Sequence, residues 1–484
     1  MTLNESDRTL QSTPEVSRGR DTTPEINHPE ILLAFYGDDF TGSTDSMEAL
    51  TLNGLDTVLF LQPPDEALLR RFPTLRCYGI AGVSRSMDPH EMERELTPVF
   101  EKMKPISSRI VHYKTCSTFD SSPQTGSIGL AIDLGRKVFG CTSAVPLLVG
   151  APVLGRYTLF GNHFARVKGV TFRLDRHPTM ANHPVTPMHE ADLRRHLSEQ
   201  TDAQIGLMDV FDLDGSLNEV EHRYEDRVQA GNSVVLFDVL DEQRLAVAGG
   251  VIWNQSEQGQ RFVAGSSGVE YALTAWWKEN GVIEHGHPKL ESPGPVDQIA
   301  VFSGSCSPVT QSQIQWAADN GFQALRVPVE WIAGESQREQ VHQAVLEQAK
   351  AILDCGQSVI LYTALGPDDR SILQVQQALS SQGQLASKTG EIIGKALGHL
   401  ARALVQSTGL RRIVMAGGDT SSYASRQLGI YGLRMHSPIA PGSPLCVAYS
   451  ENPRLDGLQI ALKGGQVGKE DYFTRVLCGT SSGL

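Results

Sequence analysis

Ile31-Leu32-Leu33-Ala34-Phe35-Tyr36-Gly37-Asp38-Asp39-Phe40-Thr41-Gly42-Ser43-Thr44-Asp45 sets the reading of the whole chain. Its first six residues are a short, unbroken apolar run, which reads as a buried strand. The run ends in a turn carrying two adjacent carboxylates. A helical pattern follows at Asp45–Asn53, with Thr44 or Asp45 placed to cap it. Outward from this unit the alternation repeats. Thr57–Phe60, Cys77–Ala81, Arg109–Tyr113 and Val145–Gly150 read as strands, and Glu91–Met103 and Ser127–Lys137 as helices. Gly155–Thr201 is less regular and rich in proline. Ser233–Asp238 and Arg261–Ala264 resume the strands, and Val269–Lys278 is helical. Strands alternating with helices imply an α/β fold with mainly parallel sheets.

Residues 281–297 hold three glycines and three prolines and read as a linker. A second alternating series follows it. Its strands are Gln298–Ser303, Ala324–Val327, Ser358–Tyr362, Arg412–Ala416 and Leu458–Lys463. Its helices are Thr310–Asn320, Gln337–Asp354, Gly390–Gln406 and Ser421–Leu428. The expectation is two α/β domains, 30–280 and 298–484, with the active site in the cleft between them. Open α/β sheets place ligands beyond the carboxyl ends of their strands. Residues 1–29 are polar, with no apolar centre. They read as a disordered tail and not as a secretory signal.

Composition narrows the function. The chain of 484 residues carries 42 Lys plus Arg against 55 Asp plus Glu, a formal charge of −13. Such a chain is poorly suited to gripping nucleic acid or an anionic membrane over a broad face. No apolar run approaches the roughly 18 residues that a membrane span needs. Seven cysteines, an odd number with no C-x-x-C pair, argue against a disulfide framework and fit a reducing cytoplasm. His177, His183, His189 and His196 lie close together. They lack metal-peptidase spacing, and Pro178, Pro184 and Pro187 bar a continuous helix there.

Three loops at strand ends in the first half carry chemistry. Asp38 or Asp39 can take a hydroxyl proton or hold a magnesium ion beside a helix N-terminus. Alternatively, the pair merely shapes and caps the turn. A phosphoaspartate-forming nucleophile of the haloacid dehalogenase type wants two Asp separated by one residue, and these are adjacent. Gly82-Val83-Ser84-Arg85-Ser86 offers a guanidinium fork for a carboxylate, or else an ordinary surface Arg. Lys114-Thr115-Cys116-Ser117-Thr118-Phe119-Asp120-Ser121-Ser122 clusters a cation, hydroxyls and a carboxylate, suited to a polyhydroxylated anion or simply to helix capping. In the second half three glycine-bearing loops follow strands: Ser303-Gly304-Ser305, Gly417-Gly418-Asp419-Thr420-Ser421 and Lys463-Gly464-Gly465-Gln466-Val467-Gly468. Backbone without bulk can approach phosphates closely. Neither a Walker A sequence nor a G-x-G-x-x-G fingerprint opens a helix.

Together these motifs resemble the four-carbon acid sugar kinases, from Ile31 to about Val476. Gly37–Gly42 resembles the family's D-D-L-T-G turn, Val83–Ser86 its D-T-R-S loop and Ser303–Ser305 its S-G-S strand end. Gly417–Thr420 resembles its G-G-E-T loop, and Lys463–Gly468 its K-x-G-x-F-G. The third loop departs from the family's K-I-D-S-T-L-R-G. Lys114, Ser117 and Thr118 match, but Cys116 stands for the first Asp and Asp120 for Arg. That variant resembles the branch acting on 3-oxo-isoapionate. The resemblance implies an N-terminal domain for the sugar acid, a C-terminal domain for ATP, and magnesium-dependent transfer to a hydroxyl of a short 3-oxo sugar acid. It implies Asp39 as base with Asp38 beside it. Arg85, Ser86, Lys114, Ser117 and Thr118 would be on the acid. Ser303, Ser305, Gly417, Gly418, Asp419, Thr420, Gly465 and Gly468 would be around the nucleotide. The partners it implies are the sugar acid and ATP, with no nucleic acid and no membrane, and with a homodimer left open. A non-catalytic sugar-acid sensor, or a sugar-acid aldolase or hydratase, would not need the glycine loops.

Overall fold

The computed structural model describes residues 30–480, except 168, 184, 257–258, 287–291, 329–334 and 385–387. The expected tail 1–29 and part of the linker lie outside the described residues. The first half contributes strands β1 (Ile31–Gly37), β2 (Thr57–Phe60), β3 (Cys77–Ala81), β4 (Ser108–Lys114) and β5 (Val145–Leu148). They are followed by β6 (Arg156–Leu159), β7 (Asn162–Val167), β8 (Val170–Arg173), β9 (Ile205–Met208), β10 (Val234–Phe237) and β11 (Arg261–Gly265). The second half adds β12 (Ala300–Ser303), β13 (Gln323–Arg326), β14 (Val359–Tyr362), β15 (Arg412–Ala416), β16 (Gly432–Ala440), β17 (Ser443–Tyr449) and β18 (Gln459–Lys463).

The two halves share one sheet of 15 strands, in the order β13-β14-β12-β15-β18-β17-β16-β2-β3-β1-β4-β11-β5-β10-β9. All neighbours are parallel except around the hairpin β16–β17, which pairs antiparallel with β18 on one side and with β2 on the other. The fold is therefore α/β with a mainly parallel sheet. Every residue of β1 is buried, as its apolar run demands. Leu33 and Phe35 pack with Phe40, Met47 and Leu50 of the following helix on one face. Ala34 and Tyr36 pack with Met92, Leu96 and Phe100 on the other. Covering both faces with helices is what lets a parallel sheet exclude water.

Three parts differ from the sequence reading. The irregular stretch 155–201 contains a separate antiparallel sheet, β6-β7-β8, rising from the carboxyl end of β5. The hairpin β16–β17, for which the sequence reading offers no strands, carries Pro438 and Pro444. It accommodates them with register shifts between Met435 and Ser437 and between Pro438 and Ala440. Helices also form at Leu217–Gln229 and Glu242–Asn254, where none was expected. At the described end of the linker, the fully buried Arg412 donates to the carbonyls of Pro293 and Gly294 at 3.3 and 3.0 Å, tying that segment to β15. Among the described residues no helix is long and apolar enough to cross a membrane.

Candidate active site

Five parallel strands, β3, β1, β4, β11 and β5, lie side by side, so the loops after them emerge on one edge. After β1, Asp39 keeps an extended backbone (φ −142°, ψ 164°) and its Oδ1 accepts the Gly42 N–H at 2.8 Å. The helix therefore starts at Phe40, immediately after the strand, and Asp39 is its cap. Thr44 and Asp45, the caps expected from sequence, lie inside it. The carboxylate next to the strand reaches the third helical N–H first, and nothing is left for a later residue to cap. Asp38 is 2 % exposed. Burial pushes its carboxyl above the ordinary range, with Arg85 opposing and Asp39 adding to the shift.

Arg85 comes from the one-turn helix Ser84–Ser86 after β3. Its Nη2 lies 3.0 Å from Asp38 Oδ1 and 2.7 Å from Asp39 Oδ1, so one nitrogen joins both carboxylates. Lys114 ends β4 and is buried. A Cβ on Gly42 would fall 2.1 Å from Lys114 Nζ and 2.5 Å from Asp39 Oδ1, so only glycine lets the ammonium rest on this first helical turn. Ser86 Oγ donates to Val83 O at 3.1 Å or shares a bond with Tyr423 OH at the same distance. Thr118 donates its hydroxyl to Asp120 Oδ1 at 2.7 Å, and Cys116 Sγ lies 3.0 Å from Thr118 Oγ1. The Ser117 carbonyl is held by His163 Nε2 of β7 at 2.9 Å. Burial pushes that imidazole down to about 4, so it is the neutral form that donates.

The glycine loops follow β12, β15 and β18, which are also parallel neighbours. Ser305 and Gly465 face each other: a Cβ on Gly465 would lie 3.0 Å from Ser305 Oγ. Ser303 is buried and its Oγ has no partner among the described residues. Gly417 turns at φ 122°, and Gly418 opens the helix Gly418–Ser425 with open space where a Cβ would stand. Thr420 is buried beside Gly304 and Gly417. The side chain of Asp419 lies outside the described residues. Gly468 turns at φ 85° against Tyr472, so glycine is required there by the backbone itself. Lys463 is fully buried, and its Nζ donates to Thr310 Oγ1 at 3.0 Å and Gly464 O at 2.9 Å, fixing the third loop. Burial lowers its pKa to about 7.

β2 and β16 pair antiparallel at only two registered positions, Gly432 with Phe60 and Leu433 with Leu59, and loops from the two halves touch. Phe40 N donates to Ser422 Oγ at 3.3 Å, and a Cβ on Gly464 would lie 3.4 Å from the Thr41 methyl. Arg426 reaches back to Ala81 O at 3.1 Å. The sequence reading missed Tyr423 and Arg426, whose partners are more than 330 positions away, so no local signal could mark them. It also missed Arg156, at the start of β6. The signal available was the one that marked Arg85, an arginine just beyond the carboxyl end of a strand.

Behind the site, Glu48 is 4 % exposed and accepts the Gly442 N–H of the hairpin at 2.7 Å. Burial, with Asp45 adding to it, pushes its carboxyl up to about 8 from 4.5. The folded protein then holds a proton that the unfolded chain releases, and stability falls as pH rises between those values. Glu48→Gln keeps the shape and the acceptor without the titration. Its melting temperature is expected to gain on the wild type's as pH rises from about 5 to about 8.5. A pH-independent difference would mean that Glu48 is ionised in the fold.

Comparison with known proteins divides the chain into two domains. A family model described as a sugar-binding N-terminal domain matches residues 33–273, and one described as a nucleotide-binding C-terminal domain matches 300–473. A 3-oxo-isoapionate kinase of Paraburkholderia graminis is 46% identical over 454 residues, covering 94% of this chain and 95% of that protein. A 3-oxo-tetronate kinase of Pseudomonas savastanoi pv. phaseolicola is 30% identical over 463 residues, covering 93% and 98%. The crystal structure of Haemophilus influenzae protein HI1011 superposes with a TM-score of 0.63 at 26% identity, over 92% of this chain and 98% of that one. By its two matched domains and by its near-full-length likeness to these kinases, the chain belongs to the four-carbon acid sugar kinase family.

Proposed function

We propose that the protein transfers the γ-phosphoryl group of ATP to a hydroxyl of 3-oxo-isoapionate, in the cytoplasm. The observation that carries the reading is the meeting of the Asp38–Asp39 turn with the glycine loops, through Phe40 and Ser422 and through Thr41 and Gly464. In this reading that contact sets the paired carboxylates against a phosphate cradle. The 46% identity to a 3-oxo-isoapionate kinase supports the choice of acid. The Cys116 and Asp120 departures in the third loop support it too.

In this reading Asp39 accepts the proton of the attacking hydroxyl. Asp38 and Arg85 hold it in place, and Lys114 keeps the pocket positive. Ser86, Ser117 and Thr118 face the hydroxyls of the acid. Ser303, Ser305, Gly417, Gly418, Asp419, Thr420, Gly465 and Gly468 surround the nucleotide. Phosphoryl transfer needs positioning and charge neutralisation more than covalent help. Magnesium is usually held by one or two carboxylates together with substrate phosphates. The hard oxygens of Asp38 and Asp39 fit that role. Among the described residues no cluster of three His, Cys, Asp or Glu offers a dedicated cage. The ion would neutralise charge on the transferred group. Residues 30–280 would form the acid-binding domain and 298–484 the nucleotide-binding one.

The test is release of ADP over 3-oxo-isoapionate, 3-oxo-tetronates and threonate. The expected result is the highest kcat/KM on 3-oxo-isoapionate. A better 3-oxo-tetronate substrate would overturn the choice of acid. ATP-dependent thermal stabilisation without turnover on any acid would overturn the kinase reading in favour of a sensor.

A further inference from the structure

We infer that Arg156 is the receptor for the substrate carboxylate, in a subsite formed where the β6-β7-β8 sheet meets the Lys114–Ser122 loop. The inference rests on the kinase reading above.

Arg85 and Lys114 are the cations that sequence offers for this carboxylate, but the Arg85 Nη2 is already shared by Asp38 and Asp39, and the Lys114 ammonium rests on the first helical turn at Gly42. The Arg85 charge is spent on holding the base. Arg156 is placed differently. The chain leaves the carboxyl end of β5, turns through Pro152–Leu154 and Gly155, and starts β6 with this residue. Nη1 donates to the carbonyls of Leu154, Gly155 and Arg166 at 2.9, 3.4 and 3.3 Å, which fixes the plane of the guanidinium. Nε is buried and has no partner among the described residues. A buried donor left unpaired is costly, and a ligand that satisfies it recovers that cost.

Two of this protein's arginines grip a carboxylate by the Nε–Nη2 edge. Arg194 binds Asp192 that way at 2.9 and 2.6 Å, and Arg173 binds Asp175 at 2.7 and 2.5 Å. Arg156 thus holds that edge with Nε still open. His163 of β7 pairs with Thr158 of β6, bonds its hydroxyl at 3.0 Å and holds the Ser117 carbonyl at 2.9 Å, so β6 lies against the Cys116–Asp120 turn, with Arg156 two residues before Thr158 on the same strand. That turn has no cation of its own, since Asp120 stands where the family motif carries Arg. Without Arg156 a carboxylate entering beside Asp120 would have only Lys114, at the far end of the loop, to offset that negative charge. With it, the acid end is anchored, Asp120 and Thr118 are left for hydroxyls, and the far hydroxyl is directed toward Asp39. Burial also strips water from Arg156, which strengthens its attraction for an anion.

The test assays wild type, Arg156→Met and Arg156→Lys with ATP, on the sugar acid and on its primary amide. The amide keeps the shape and removes the charge. In Arg156→Met, KM for the acid is expected to rise by about ten- to a hundredfold, the scale of one charge-assisted contact. KM for ATP should stay as it is, while the melting temperature falls somewhat because three carbonyls lose the Nη1 donor. The preference for acid over amide should fall by the same factor. Arg156→Lys should recover only part of it, because an ammonium has no fork. A preference in Arg156→Met equal to the wild type's overturns the subsite. If that variant does not fold, an unchanged preference in Arg156→Lys overturns it equally. Wild-type protein that releases no ADP with any sugar acid overturns the kinase reading itself, and this is seen before any variant is compared.

Discussion

Asp39→Asn is expected to lower kcat by about 10²–10⁴-fold, the usual worth of a positioned general base, while the affinity for ATP survives. Asparagine is the right replacement because Asp39 does two things. It caps the helix Phe40–Leu52 through Gly42 N–H, and its carboxylate faces the cleft. Asn caps helices about as well as Asp, so the backbone stays and only the charge goes. Arg85 keeps Asp38 as a partner at 3.0 Å, which limits its freedom to move. Alanine would lose the cap as well and confound the two effects. Rapid-mix kinetics and calorimetry on the same preparation decide the matter. Near-normal turnover in the Asn variant would take the base role away from Asp39.

Gly418→Val is expected to weaken ADP binding by about 10²-fold or more, as loss of two or more charge-assisted contacts to phosphate would. The neighbouring glycine shows why position 418 is the informative one. At Gly417 the backbone turns at φ 122° and a Cβ would meet Thr420 Oγ1 at 2.9 Å, so any side chain there strains the fold. At Gly418 a Cβ meets nothing within 4 Å. Valine then costs the free protein nothing in helix propensity, since glycine is the poorer helix former, yet it fills the space over the helix N-terminus where phosphate would rest. Calorimetry with ADP on a variant of unchanged melting temperature is the measurement. Unaltered affinity would remove this loop from the nucleotide site.

Both variants act on residues that the sequence marks. Asp39 and Gly418 sit directly after strands whose apolar runs are unmistakable, and a turn between a buried strand and a helix leaves few conformations open. The same reasoning errs by a few residues at the helix start, because Thr44 and Asp45 look like caps until the backbone of Asp39 is known. It fails in the β16–β17 hairpin, where prolines that break isolated strands are absorbed by shifts in register. It also fails in β6-β7-β8, whose short strands hold few apolar residues and are stabilised by contacts such as His163 with Ser117.

By itself the sequence determined the alternation of strands and helices, the loops that end those strands, and the residue types in them. Each of these follows from local periodicity and local turn chemistry, which act over a few residues. The tertiary structure decided the rest. It set β1 between β3 and β4, so that Arg85 binds both aspartates, and joined β2 to β16, so that Ser422 reaches Phe40 across the two halves. It brought Glu48 under the hairpin and Arg156 to the turn holding Cys116 and Asp120. Strand order and the joining of edges depend on which apolar faces cover one another, a property of the whole packed chain that no short stretch of it contains.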